Sequence, residues 1–416
     1  LAQHLSAVAS PGRRRPKDRK DQIARVAAEA FSALGYHSVR LEAIAGEVGI
    51  SAPALYRHYA SKYDLFRDAV LALSQQLVDA TDLATDQTAE ATDEATLDQL
   101  VEALIDVALR NRESGGLYRW QSRYLREADE TRLVDQLRLV NRRLQAPLAA
   151  RRPTSTSLQL RMLSAGLLSV AGGIADHRVR APAEDIKDML SGASSALLNA
   201  ELPTADDFVP GAPAWRIFTP DAGTYEALLH AAMMLFHQHG YAETSMAQIA
   251  AVAGVRVAGI YRYFPGKADI LSTALRRSSD RLSAELSRVN SDRPEPRDAL
   301  TQLVDAYVAT SFANPELASI YYSERVNLTP ADQQALRNVQ RSTIDSWVRL
   351  LAAVRPELTA THARFLVHAA MGLVVDIGRL VRYDRPETDS AGSPGANRAY
   401  PQACVRTLMH AVLFDA

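Results

Sequence analysis

Tyr56, Arg57 and Lys62 lie close together in Gly49-Ile50-Ser51-Ala52-Pro53-Ala54-Leu55-Tyr56-Arg57-His58-Tyr59-Ala60-Ser61-Lys62. Tyr261, Arg262 and Lys267 have the same spacing in Gly254-Val255-Arg256-Val257-Ala258-Gly259-Ile260-Tyr261-Arg262-Tyr263-Phe264-Pro265-Gly266-Lys267. The second stretch repeats the first without a gap, from position 49 to position 254, an offset of 205. Neither copy pairs a nucleophile with a base or gathers metal ligands. A phenol, a guanidinium and an ammonium on one side of a short helix suit contact with an anionic polymer, since Arg pairs with phosphates and base edges while a Lys at a helix start holds a phosphate.

The elements that carry these groups are helical. Ile23, Val26, Ala27, Ala30, Phe31 and Leu34 recur at three and four, which predicts a first helix over 21–34 closed by Gly35. Leu41, Ile44, Ala45 and Val48 predict a second helix ended by Gly49. Ser51 then caps a third, in which Pro53 costs no intrahelical donor. Leu55 and Tyr59 face inward, which leaves Ala52, Pro53, Tyr56 and Arg57 outward, and Ser61-Lys62-Tyr63-Asp64 caps a fourth helix. Helix, turn and outward-facing helix form a DNA-reading unit, present twice. Upstream of the first unit, Pro11 to Lys20 holds Arg13, Arg14, Arg15 and Lys17 without apolar periodicity and is expected to be a flexible arm that tracks phosphates.

These residues resemble the TetR-type repressors: Phe31, Gly35-Tyr36, Ile44-Ala45, Gly49, Leu55-Tyr56-Arg57-His58-Tyr59 and Ser61-Lys62 in the first half, and Phe236, Gly240-Tyr241, Ile249-Ala250, Gly254, Ile260-Tyr261-Arg262-Tyr263-Phe264 and Lys267 in the second. The resemblance covers about fifty residues in each half. It implies an all-α chain of two TetR-like halves in tandem, each a three-helix helix-turn-helix domain followed by a helical ligand-binding and dimerisation domain. The family opens its second helix with Thr-Ser hydroxyls that meet a phosphate. Thr244-Ser245 keep this, whereas the first copy has Val39-Arg40, where Arg40 takes over the contact. The third helices differ as well: Ser51, Ala52 and Pro53 stand against Arg256, Val257 and Ala258, so the two heads are expected to prefer different half-sites.

The expected layout is a basic disordered arm at 1–20, a first DNA-binding domain at 21–68 and a first helical regulatory domain at 69–200. A Pro-rich linker follows at 201–223, then a second DNA-binding domain at 224–273 and a second regulatory domain at 274–416. In the regulatory domains Leu117, Trp120, Tyr124 and Leu167, with Tyr307, Tyr321 and Trp347, are the candidate effector contacts, against the plainer reading of core packing. Arg325, Asp376 and Arg379 are candidate polar anchors.

Composition narrows the class. With 47% hydrophobic and 23% charged residues and a net charge of −1, the 416-residue chain has material for packed cores but not for coating nucleic acid by charge alone. Cys404 is the single cysteine, which rules out an intrachain disulfide. Residues 1–10 lack a secretory pattern and the longest apolar runs read as buried helices, so a cytoplasmic protein without a membrane span is expected. His230, His237 and His239 lack further ligands at metal spacing, and no glycine-rich phosphate loop or nucleophile elbow occurs, so neither metal, cofactor nor enzymatic activity is expected.

The expected partners are therefore a double-stranded DNA operator and an apolar small-molecule effector. The chain acts as a pseudo-dimer within itself, with a further homodimer open. The tandem layout also resembles actinobacterial double-TetR regulators, including the repressor of a mammalian-cell-entry type lipid-import operon, which implies a fatty acyl or sterol-derived effector and lipid-metabolism target genes. A helical lipid carrier is the alternative reading, but it does not account for the repeated Tyr-Arg and Lys.

Overall fold

In a computed structural model describing residues 16–82, 93–206, 208, 216–291, 294–381 and 396–416, the repeat builds two similar helical halves. The first head is α1 (Pro16–Leu34), α2 (Leu41–Val48) and α3 (Ala52–Tyr56). Its body is α4 (Lys62–Ala80), α5 (Asp93–Arg110), α6 (Gly116–Trp120), α7 (Glu127–Arg151), α8 (Ser157–Gly172) and α9 (Ala183–Asn199). The second head is α10 (Thr224–His239), α11 (Met246–Val252) and α12 (Val257–Ile260). Its body is α13 (Lys267–Ser291), α14 (Pro296–Ala313), α15 (Pro315–Glu324), α16 (Pro330–Val354), α17 (Ala360–Leu380) and α18 (Ala396–Phe414).

Each head has its own core because its helices are amphipathic and short. Ile23, Phe31, Ile44, Leu55 and Phe66 close the first; Leu228, Phe236, Ile249, Ile260 and Ile270 close the second. The two bodies share one core, to which α5, α8, α9, α14, α17 and α18 all contribute. At its centre α8 and α9 pack against α17 and α18. Gly166 and Gly372 permit that approach: a Cβ on Gly166 would lie 3.5 Å from Leu373, and one on Gly372 would lie 3.4 Å from the Ser169 hydroxyl. The halves are thus joined as a dimer would be, with the partner supplied by the same chain.

The structure revises two boundaries and the reading of one apolar run. α1 starts at Pro16, so the last five residues of the expected disordered arm are helical; Arg19 donates to Gln22 and to the Val48 carbonyl, and Lys20 pairs with Asp68 at 3.4 Å. The expected linker ends inside the second head. Ile217 and Phe218 are buried there, the Ile217 amide donates to Asn314 Oδ1, and Arg216 pairs with the buried Glu316 at 2.8 Å. Finally, Ser157–Asp176, one of the apolar runs expected to be a buried helix and not a membrane span, is by length and composition long enough to cross a membrane; most of it is buried in the bundle.

Candidate nucleic-acid interface and effector chamber

In each head a left-handed glycine sets the angle between the second and third helices. Gly49 has φ 74° and its amide closes onto Ala45 and Gly46; Gly254 has φ 69°. The third helix is then held by its inward residues, Leu55 and Tyr59 in one head and Ile260 and Phe264 in the other. Burying Leu55 alone contributes about 2 kcal/mol. Its outer side carries the expected reading residues: Tyr56 is 49% exposed and Tyr261 54%, with Arg57, Arg256, Val257, Ala258 and Arg262 also exposed. Ser51 and Pro53 are exposed and Ala52 is half-buried. Among the described residues none of Arg57, Arg256 and Arg262 has a carboxylate partner, so each head presents uncompensated guanidinium groups beside an exposed phenol. The heads differ in capping. Ser51 accepts from the Ala54 amide, whereas Arg256, at the same place, makes no cap bond.

Several expected contacts are turned inward. Lys62 Nζ donates to the His37 carbonyl at 3.0 Å and lies 5.1 Å from the Tyr36 ring centroid. Lys267 does the same, donating to the carbonyls of Tyr241 at 2.6 Å and Thr244 at 2.8 Å, 4.4 Å from the Tyr241 ring. Partial burial holds both ammonium groups below their ordinary pKa. Both lysines therefore staple the body to the loop between the first two helices of the head instead of standing free as phosphate clamps. The start of α4 is likewise occupied, since Ser61 accepts from the Asp64 amide at 3.1 Å. Thr244 is buried, with its hydroxyl donating to the Gly240 carbonyl at 2.8 Å, so the expected phosphate contact is a loop fastener; Val39 fills that place in the first head. Ser245 caps α11 in a reciprocal pair with Gln248. Arg40 occupies the matching cap position exposed and without a cap bond. Arg13, Arg14 and Arg15 lie outside the described residues, as does the side chain of Lys17.

The effector candidates separate. Leu117 belongs to the core of the first head, and Tyr124 stacks on Tyr36 at 5.5 Å; Leu167 is buried in the shared core. None of these three lines the chamber of the second half described next. Trp120 and Tyr124, four residues apart, would share a face on a continuous helix, but α6 ends at Trp120 and Ser122–Tyr124 is a 3-10 turn, which swings Tyr124 toward the head.

Tyr307 and Tyr321 do line a cavity of about 180 Å³ in the second half, and Trp347 stands behind it, edge-on to Tyr307 at 5.9 Å. Sequence reasoning missed its other walls, among them Leu275, Ser278 and Leu282 of α13, Thr310 of α14 and Met371 of α17. No local signal marks them, since the walls come from helices far apart in the chain. The corresponding region of the first half is a slot of about 30 Å³ between Leu73, Leu104 and Leu168.

Behind the chamber wall sits a buried charge cluster. Arg119 pairs with Asp176 at 3.2 Å and with Asp376 at 2.7 Å, and Arg379 donates to the Arg119 carbonyl at 3.0 Å. Two of the three candidate anchors, Asp376 and Arg379, are thus committed to joining the halves. The third, Arg325, lies over Tyr321 at 5.1 Å. Burial pushes the Asp176 carboxyl above its usual range, opposed by Arg119. His177 and His368 stack nearby at 4.3 Å; burial, with neighbouring positive groups, lowers them to about 2 and about 4, so both are neutral near pH 7. Among the described residues no group of three or more His, Cys, Asp or Glu is arranged to hold a metal.

Comparison with known proteins bears on the heads above all. The profile described as bacterial regulatory proteins, tetR family, matches residues 23–69 and again 228–274. The transcriptional activator FasR of Mycolicibacterium smegmatis is 41% identical over 69 residues, 16% of this chain and 30% of its own. The regulator HbdR of Aromatoleum sp. is 33% identical over 109 residues, 26% of this chain and 47% of its own. The chain thus spans under half the length of these two relatives. RutR of Escherichia coli is 27% identical over 154 residues, 35% of this chain and 70% of its own. Among solved structures, a TetR-family regulator from Bordetella parapertussis aligns with TM-score 0.39 and 21% identity over 46% of this chain and 94% of its own. The fatty acid degradation regulator FadR from Bacillus halodurans aligns with TM-score 0.36 and 20% identity over the same shares.

Proposed function

We propose that this chain is a tandem TetR-family regulator that places both of its heads on a single asymmetric or pseudo-palindromic operator and releases it when an apolar effector fills the second half's chamber. The observation that carries this reading is the duplicated third helix, exposed in both heads with its Tyr-Arg pair uncompensated and mounted on one shared core. A two-headed body reads two half-sites when its heads match successive major grooves, about 34 Å apart. Here the two readers are chemically different, so the half-sites differ too. The reading residues of the first head are Ser51, Ala52, Pro53, Tyr56 and Arg57, with Arg40 on phosphate. Those of the second are Arg256, Val257, Ala258, Tyr261 and Arg262, with Ser245 on phosphate.

Release follows from where α15 runs. Tyr321 and Tyr322 line the chamber, Ile320 sits in the core of the second head, and Trp120, about one helical turn from the first head's Leu117, stacks on Tyr322. An effector that shifts α15 therefore displaces both heads together, and it acts only by as much as it prefers the shifted state. Repression is the proposed sign, in the cytoplasm, with lipid-metabolism genes as targets; the apolar chamber supports a fatty acyl or sterol-derived effector. Further association into a homodimer is compatible with the bundle.

A band shift with DNA upstream of the gene, in excess competitor DNA, together with mass determination of the complex, tests this. One chain per operator with a footprint over two unlike half-sites is the expected result. Salt-sensitive, sequence-blind binding returns the protein to the carrier reading that its chamber alone would also permit.

A further inference from the structure

The chamber does not end at Tyr321 and Tyr322. Those residues, with Asp176, Gln340 and His368, also line a larger recess of about 710 Å³ that opens outward between α15, α16, α17 and the residues after α8. This recess is lined by Arg178, Arg325, Arg337, Arg341 and Arg364. Their possible carboxylate partners are taken unevenly. Arg364 pairs with Asp345 at 2.6 Å, Arg178 with Glu113 at 3.3 Å, and Asp176 is held by Arg119. Among the described residues Arg325, Arg337 and Arg341 are in no salt bridge; Arg337 meets the amide oxygens of Gln333 and Gln334, and Arg325 lies over the Tyr321 and Tyr322 rings within the field of Asp176, which is itself paired with Arg119. Arg337 and Arg341 are four apart on α16, so their like charges share one face and repel unless an anion lies between them.

We propose that the recess is the headgroup site of the same ligand, and that the ligand is an amphiphile: an apolar chain in the inner chamber and an anionic phosphate or carboxylate head held by Arg325, Arg337 and Arg341. This deepens the effector reading above and rests on it. Guanidinium groups pair with both anion types through two parallel donors, and the inner chamber offers the chain Leu275, Leu282, Ile344 and Met371 without a fixed cation to neutralise an anion placed there. Charge therefore orients the molecule, chain inward. The recess also reaches Ala33 of α1, so the head lies directly against the first DNA-binding unit while the chain presses on α15. One ligand thus touches the elements that carry both readers.

The test compares dodecyl phosphate, dodecanoate and dodecanol, each below its micelle concentration, by calorimetry on the full chain and on Arg337→Gln/Arg341→Gln. Both arginines are exposed, so the double variant keeps its fold, checked by an unchanged melting temperature. At least tenfold tighter binding of either anionic chain over the alcohol, shrinking with added salt and lost in the variant, is expected; which anion binds better identifies the head. Equal binding of the alcohol, no binding at all, or a preference that survives in the variant overturns the proposal. So does a variant that loses operator affinity while its amphiphile preference is unchanged, because the arginines then serve DNA. Operator release is read separately. Charge-selective binding that leaves the band shift untouched keeps the site and sinks only the effector reading.

Discussion

Trp120 of the first half lies flat on Tyr322 of the second, with ring centroids 4.2 Å apart at an angle of 13°, while its indole N–H donates to Asp176 at 2.7 Å. Tyr322 and Asp176 face the chamber, and Trp120 ends the helix whose Leu117 is built into the first head. The pair is one packing route from the second half's ligand space to the first half's head. Replacing Trp120 with Leu removes the stack and orphans one Asp176 oxygen, a loss of about 2 kcal/mol in stability. If this pair carries the signal, effector still binds but no longer releases the first half-site, which footprinting with and without effector resolves. Simultaneous release of both half-sites in the variant would place the coupling elsewhere.

Lys62 gives a second prediction because two roles for it differ in salt dependence. As a staple onto the His37 carbonyl and the Tyr36 ring, it acts through the shape of the head. Lys62→Met then lowers stability by about 1 kcal/mol and weakens every DNA sequence alike, while the slope of log affinity against log salt stays put. A phosphate clamp predicts that slope falling by about 1. Titrating band shifts from low to moderate salt for both proteins decides between them.

What the sequence disclosed was whatever is set locally. The periods of α1 and α2, the glycine turns at Gly49 and Gly254 and the inward Leu55 and Ile260 are all encoded within a few residues, and the repeat made each visible twice. The chamber was not legible in the same way. Its walls come from α13 through α17, together with Gly173 and Asp176 of the other half, and no local pattern announces that convergence. The carbonyl contacts of the two lysines were hidden for a related reason: their partners are backbone groups twenty-odd residues upstream, which carry no side-chain signature. The place of Tyr124 beside Tyr36 was hidden as well, because the break of α6 at Trp120 depends on how the segment docks between the halves.

Arg256 tests whether the two readers differ in specificity. Unpaired and exposed at the start of α12, it is free to bind a guanine edge through two donors, worth about 1–3 kcal/mol of discrimination. Arg256→Ser, which restores the residue type found at Ser51, also supplies a cap for α12, so folding is not lost with the contact. Selection of binding sites from randomised DNA should show relaxed preference at one position of one half-site and an unaltered second half-site. Equal relaxation at both would mean that the heads are read out as equivalents.

Tyr59 and Phe264 occupy matching positions, yet only the tyrosine carries a hydroxyl, and that hydroxyl is buried without a hydrogen-bond partner among the described residues. Burial, reinforced by Asp68 and Asp21, pushes the phenol up to about 12. Tyr59→Phe removes the unsatisfied group while keeping the ring, and stabilises the first head by about 1 kcal/mol. Chemical denaturation with an unchanged slope and a raised midpoint is the expected outcome; a lowered midpoint would mean that the hydroxyl has a water or ligand partner worth keeping.

The stacked His177 and His368 give the chain a predictable acid limit. Both are buried across the seam between the halves, with Arg112, Arg178 and Arg364 adding positive charge, and both sit far below the value near 6.5 of an unfolded histidine. Between about pH 6.5 and pH 4 the unfolded chain therefore binds protons that the folded chain refuses, and stability falls as the pH is lowered through that window. Above pH 6.5 the pair contributes no slope. His368→Phe removes one of the two proton-binding sites and keeps an aromatic ring beside His177, so the melting temperature should fall less steeply between pH 6.5 and pH 4.5 than in the parent chain. Parallel melting curves for the two proteins across that range would show that His368 is protonated in the folded state and that the acid limit is set by the carboxylates instead.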